Sequence, residues 1–299
     1  TSRDLTVTSV GIWLIALRFL QGIAMGGYIA AVWTIMADRS PPSRLAEGLG
    51  IFGIAGMTAL AAGPRAGEVI LHAGYGFEGI FIVCGIISAL GTGLVFLIGE
   101  SRPVGTCESF IHSFRKMMRG DLFLVLAVTL VFSASRSAFA SFFAEYSRLE
   151  GIGSMGTFSI IYSGTTIGLR LLAGRTADRV GRELVLLPAL AVFGLGIGMI
   201  AFIDSTVIFV LAAVLCGIGH CFLYPVLNAL VIQKVHSCSR GTATGLFTSS
   251  FDIGLGAGSL IWGTVAGLGG YHLMYILAGA AAVGGIVGAR SLYRSRPRG

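Results

Sequence analysis

The chain has 299 residues, 55% of them hydrophobic and 12% charged, with a mean hydropathy of +0.85. A soluble domain carries about 25% charged residues, so this composition excludes an ordinary soluble domain and points to a membrane protein. The net charge of +7 does not describe a nucleic-acid-binding face, because most basic residues lie in short loops and the tail.

Nine apolar runs follow one another: 8–37, 46–71, 77–98, 121–144, 155–173, 184–203, 206–233, 241–266 and 271–291. Each is close to the ~20 residues that a helix needs to span the hydrocarbon core, so an all-α membrane protein with nine spans is expected. Small residues let such helices approach closely, and the 45 Gly fit that packing. The longest polar interval, 99–120, carries Arg102, Pro103, Arg115, Lys116 and Arg119. It divides the chain into 1–98 with three spans, a linker, and 121–299 with six spans and a basic tail.

Loop charge alternates along the chain. Intervals 38–45, 99–120, 174–183, 234–240 and the tail from 290 hold two, four, three, two and four Lys or Arg, whereas the opposite loops supply only Arg148. The positive-inside rule then places residue 1 outside and the C-terminus in the cytoplasm. Residues 1–12 are too polar for a signal peptide, and the chain opens on Thr1 without an initiator Met.

Between runs 155–173 and 184–203 lies Gly174-Arg175-Thr176-Ala177-Asp178-Arg179-Val180-Gly181-Arg182. Nine polar, Gly-framed residues cannot cross a bilayer, so they form a tight loop at a membrane face. Gly174 and Gly181 permit a sharp turn. Asp178 is suited to meet a neighbouring helix N-terminus, and Arg179 and Arg182 suit an anionic lipid surface.

The pattern G-x-x-x-D-R-x-G-R resembles the loop signature of the major facilitator superfamily, in its second-half copy between the family's helices 8 and 9. In the first span, Leu14-x-x-x-Arg18-Phe19-Leu20-Gln21-Gly22 resembles the family's helix-4 motif. In the second, Gly50, Ala59, Gly63, Pro64, Gly67 and Glu68 resemble the helix-5 motif of exporters and antiporters, a Gly ladder for close packing with a Pro kink. Ala59, Arg65 and Glu68 depart from that motif. Gly217 to Asn228 and Arg240 to Gly245 resemble parts of helices 10 and 11 in the drug-efflux-like branch. The resemblance implies a facilitator-type bundle matching helices 4–12 of twelve, with the first three helices absent.

It also implies a secondary active transporter in the inner membrane, moving a small organic molecule outward in exchange for protons by alternating access. Two other readings stay open: a non-transporting remnant or assembly partner, and a proton-coupled uptake symporter. The sequence has no H-E-x-x-H, no P-loop and no Gly-x-Ser-x-Gly elbow, so neither enzyme chemistry nor direct ATP use is expected. The five Cys have no metal-ligand spacing, and no cofactor or metal is expected.

An ionisable side chain inside a bilayer costs about 2.5–3.5 kcal/mol on insertion scales, so each is a functional candidate. Arg18 lies ~30 Å before the cytoplasmic end of its span; it tunes a carboxylate, holds a helix, or snorkels to the outer headgroups. Asp252 sits ~16 Å into its span, where a poorly hydrated carboxylate can bind and release a proton or can pair with a neighbouring helix. Arg136, among Ser133, Ser135 and Ser137, is a candidate for an anionic substrate, for a pair with Asp252, or for snorkelling. Glu145 and Tyr146 are gate or rim. Arg170 belongs to a cytoplasmic gate or is an interfacial anchor. His220 is a proton relay or a packed residue. Tyr224 and Asn228, with Pro225, place hydrogen-bonding groups and a kink beside a cavity or belong to the core.

Overall fold

A backbone without water must satisfy its own N–H and C=O groups, which makes helices of apolar runs. The computed structural model describes residues 2–97, 120–173, 176–236 and 239–294, and the elements in them are all helical. Almost all of the expected linker, with Cys107, Gly174, Arg175 and Cys238, lies outside the described residues.

The helices are α1 (Ser2–Arg39), α2 (Leu45–His72), α3 (Gly76–Val95), α4 (Gly120–Glu150), α5 (Met155–Ala173), the short α6 (Thr176–Val180), α7 (Arg182–Ile200), α8 (Thr206–Gln233) and α9 (Arg240–Arg294), with a 3-10 turn at Pro42–Arg44 before α2. Among the described residues, seven helices are long and apolar enough to cross a membrane. The expected nine runs differ from this count for two reasons. Met155–Ala173 is not among the seven, and the last two runs form one 55-residue element. Within that element Gly270 alone leaves helical geometry, with φ 79° and ψ 171°. That region of backbone space is essentially restricted to glycine. Two helical arms, 240–269 and 271–294, therefore turn on one residue with almost no loop between them.

Most of the core belongs to α4–α9, and Ala37, Leu45, Ala46 and Leu49 join it from α1 and α2. Phe132, Phe143, Phe158, Phe193, Leu190 and Ile197 are fully enclosed there. By contrast, α3 has no buried residue, and Trp13, Phe19 and Ile23 on α1 are more than 60% exposed. Pro64 lies within the continuous helix α2, so the expected kink does not end that element.

Helices of the second part approach to backbone contact. A Cβ added at Gly194 of α7 would stand 2.7 Å from the Gly279 carbonyl oxygen, and one at Gly279 would stand 2.6 Å from the Gly194 carbonyl oxygen. Overpacking of this kind costs about 1–3 kcal/mol, so Gly194→Ala should lower the melting temperature in detergent. Gly164 on α5 faces open space. Gly164→Ala should instead be neutral or stabilising by up to about 1 kcal/mol, from helix propensity alone. Equal melting shifts for the two variants would refute the close crossing.

Candidate functional site

At the basic ends of the two parts of the chain, residues 33–50 of the first part meet residues 170–240 of the second. Four contacts stack there. The outermost is built on the loop motif. Gly181, at φ 117°, turns the chain between α6 and α7 and places Asp178 and Arg182 side by side. Asp178 accepts the backbone N–H groups of Ala46 at 3.3 Å and Glu47 at 3.0 Å, at the first turn of α2. A carboxylate is favoured there because the helix N-terminus carries partial positive charge. Arg182 donates from Nε and Nη2 to Asp178 Oδ1 at 2.9 and 2.7 Å. It also donates to Gln233 Oε1 at 2.7 Å and to the Pro42 carbonyl at 3.0 Å. The Asp178 and Arg182 side chains are 4% and 10% exposed, so the pair is nearly dry. Arg179 is exposed.

The second contact is an ion pair from Arg240 Nη1 to Asp38 Oδ1 at 2.7 Å, joining the ends of α9 and α1. Deeper, the buried Arg170 donates from Nη1 to the Gly50 carbonyl at 3.3 Å. Its Nε and Nη2 have no partner among the described residues. The missing side chain of Gly53 makes this approach possible, since a Cβ there would lie 2.5 Å from Arg170 Nη1. Deepest is an aromatic contact, Trp33 against Tyr224, with ring centroids 5.3 Å apart.

Beyond the rings lies a polar cluster of the second part. Arg136 Nε on α4 is 3.5 Å from the Tyr162 hydroxyl on α5. Tyr162 in turn is hydrogen-bonded to His220 Nδ1 on α8. The Arg136 guanidinium lies 5.8 Å from the Phe139 ring centroid and 5.9 Å from that of Phe251, within cation–π range. The Tyr224 hydroxyl is within electrostatic reach of Asp252, Arg170 and Arg136.

Several candidates take places that their spacing did not announce. Arg136 bonds Tyr162 and forms no ion pair with Asp252, which is exposed. Arg18 is exposed and, among the described residues, bonds Gln21 of its own helix at 3.0 Å. Asn228 is fully buried, with neither amide atom hydrogen-bonded among the described residues, so it stands in the core rather than on an accessible wall. Glu145 is exposed and pairs with Arg148 at 2.5 Å. In the Gly ladder of α2, a Cβ added at Gly50 would touch Pro225 at 3.8 Å, one at Gly63 would meet nothing within 4 Å, and one at Gly67 would lie 3.9 Å from Ile80 of α3. Close packing is therefore confined to the basic end. Among the described residues no cluster of His, Cys, Asp and Glu could hold a metal ion.

Sequence reasoning passed over Tyr162, Trp33, Gly53, Gln233 and Asp38. One signal was available for Tyr162: with Thr166 and Arg170 it forms a polar stripe at four-residue spacing on α5, and all three are buried. Thr166 donates to the Tyr162 and Gly217 carbonyls, so the stripe faces α8.

The family model of the Major Facilitator Superfamily matches residues 5–162 and 125–299. An uncharacterized MFS-type transporter of Burkholderia mallei (strain SAVP1) is 27% identical over 294 residues, covering 97% of this chain and 70% of that protein. Among solved structures, the human organic anion transporter MFSD10 (TETRAN) is similar with a TM-score of 0.71 at 16% identity, over 87% of this chain and 67% of that one. The E. coli fucose:proton symporter FucP is similar with a TM-score of 0.66 at 16% identity, over 90% of this chain and 73% of that one.

Proposed function

The chain belongs to the Major Facilitator Superfamily, a family of membrane transporters rather than enzymes, and from that premise we propose proton-coupled export of a small organic molecule by alternating access. The observation that carries this reading is the four-tier contact at the basic end, which joins the two parts of the chain there. A transporter that rocks around a central site needs one such closed end at a time.

In this reading α1–α3, α4, α5, α7, α8 and the two arms of α9 are nine spans, matching the family's helices 4–12. The basic end faces the cytoplasm of a bacterial inner membrane, because basic loops stay inside. The open space at Gly63 is held for the second state: when the basic end parts, the outer half of α2 closes in its turn. Export is favoured over uptake by the ladder of Gly50, Gly63, Pro64 and Gly67.

Asp252 is the proton carrier. Its carboxylate is exposed, has no ion-pair partner among the described residues, and lies within electrostatic reach of Tyr224. Proton binding there changes the net charge of the cluster by one unit, which biases the switch. The test uses everted vesicles with an acidified interior and a pH-sensitive dye, challenged with a panel of organic anions, cations and neutral aromatics. At least one compound should discharge the gradient with the wild-type chain and none with Asp252→Asn. Undiminished discharge in Asp252→Asn would remove Asp252 from the coupling step.

A further inference from the structure

The charge of the cargo can be read from which arginines have partners. Arg44, Arg148, Arg182 and Arg240 each meet a carboxylate at 2.5–2.7 Å. All four lie near the ends of their helices, where water or headgroups lower the cost of a charge. Arg136 and Arg170 lie deeper, and among the described residues neither has a carboxylate partner. An unpaired guanidinium away from water is costly, and such charges are normally paired. Arg136 therefore has room for an anionic partner that the described fold does not supply.

Accessibility separates the two arginines. Arg170 is 3% exposed behind Trp33 and Tyr224, whereas Arg136 is half-buried. Tyr224, Phe251 and Trp33 are half-buried as well, so an accessible surface surrounds the guanidinium. The planar fork of Arg suits two-point binding of a carboxylate. Tyr162 holds the Nε edge, and the rings on either side offer a flat apolar body an offset or edge-on contact. The guanidiniums of Arg136 and Arg170 against the single carboxylate of Asp252 leave an excess of one positive charge.

We propose that Arg136 is the head-group subsite for an aromatic organic monoanion, whose carboxylate it binds while Phe251, Tyr224 and Trp33 receive the ring. The proposal rests on the transport reading for its purpose, since it names the cargo class of the same site. A monoanion neutralises the cluster, while a cation meets like charge and a neutral analogue leaves Arg136 unpaired.

The test is calorimetric binding to the 299-residue chain in detergent, with 2-naphthoate, 2-naphthamide and 2-naphthylmethylammonium as probes of nearly equal shape. The naphthoate should bind at least about tenfold tighter than the amide, and the ammonium more weakly than either. Arg136→Gln should erase the preference for naphthoate over amide, and Arg136→Lys should keep part of it. If Arg136→Gln does not fold, the wild-type ratio and Arg136→Lys still decide. Equal binding of naphthoate and amide, no binding of any probe, or an unchanged ratio in Arg136→Gln would overturn the proposal. Naphthoate binding through Arg136 without gradient discharge would overturn the transport reading and keep the anion site. Discharge by cations or neutral compounds without a naphthoate preference would do the reverse.

Discussion

Replacing Asp178 with alanine is expected to release the backbone amides of Ala46 and Glu47 and to part the basic end. The carboxylate holds those two donors and Arg182 in a nearly dry contact. Removing one partner of a buried ion pair costs about 3–5 kcal/mol, because the other charge stays behind unpaired. Arg182 would keep Gln233 and the Pro42 carbonyl, both neutral groups, as its acceptors. Hydrogen exchange at Ala46 and Glu47 should therefore accelerate by about a hundredfold or more, at roughly a factor of ten per 1.4 kcal/mol. Exchange in the interior of α7 should change far less. Unaltered exchange at Ala46 and Glu47 would show that the outer contact does not hold the end closed.

Arg170→Met is expected to act on the same amides in the opposite direction. Arg170 is a buried cation that donates to the Gly50 carbonyl and meets no carboxylate among the described residues, with Nε and Nη2 unsatisfied there. Replacing buried charges with apolar side chains of similar volume is often neutral or stabilising, by about 1–4 kcal/mol. In this fold the penalty falls on the closed basic end, where the guanidinium is enclosed. Opening lets water reach it, so Arg170 makes the closed end easier to leave. The Met variant should melt higher in detergent, exchange more slowly at Ala46 and Glu47, and turn over more slowly in vesicles. A drop in melting temperature would mean that Arg170 contributes net stability to the closed end.

The loop motif was legible because a Gly-framed stretch with three Arg and one Asp interrupts two apolar runs, and the structure fills that break with the short helix α6. The expectation that Asp178 meets a helix N-terminus also agrees with the structure. Which helix it meets was not legible, since its partners are backbone groups more than 130 residues away. A backbone N–H carries no residue signature. The same blindness hid the partner of Arg170, which is the carbonyl of Gly50. Arg136 and Asp252 carry opposite charges in neighbouring spans, so a pair between them was a fair expectation. The helix faces decide otherwise and give Arg136 to Tyr162. The turn at Gly270 was hidden by its own economy, because a single glycine in the sequence Leu268-Gly269-Gly270-Tyr271 replaces a loop.

The outer contact has a genetic consequence. On the α2 side Asp178 grips main-chain amides, so these two hydrogen bonds do not depend on which side chains stand at 46 and 47. An alanine scan across the first turn of α2 leaves these two amide donors in place, whereas substitutions at Asp178 remove their acceptor. Proline is the one coded residue that deletes such a donor, and the first turn of a helix is where proline is tolerated. Sequence drift in α2 can therefore proceed without loosening the closure, and compensating pairs of substitutions across this contact have nothing to compensate.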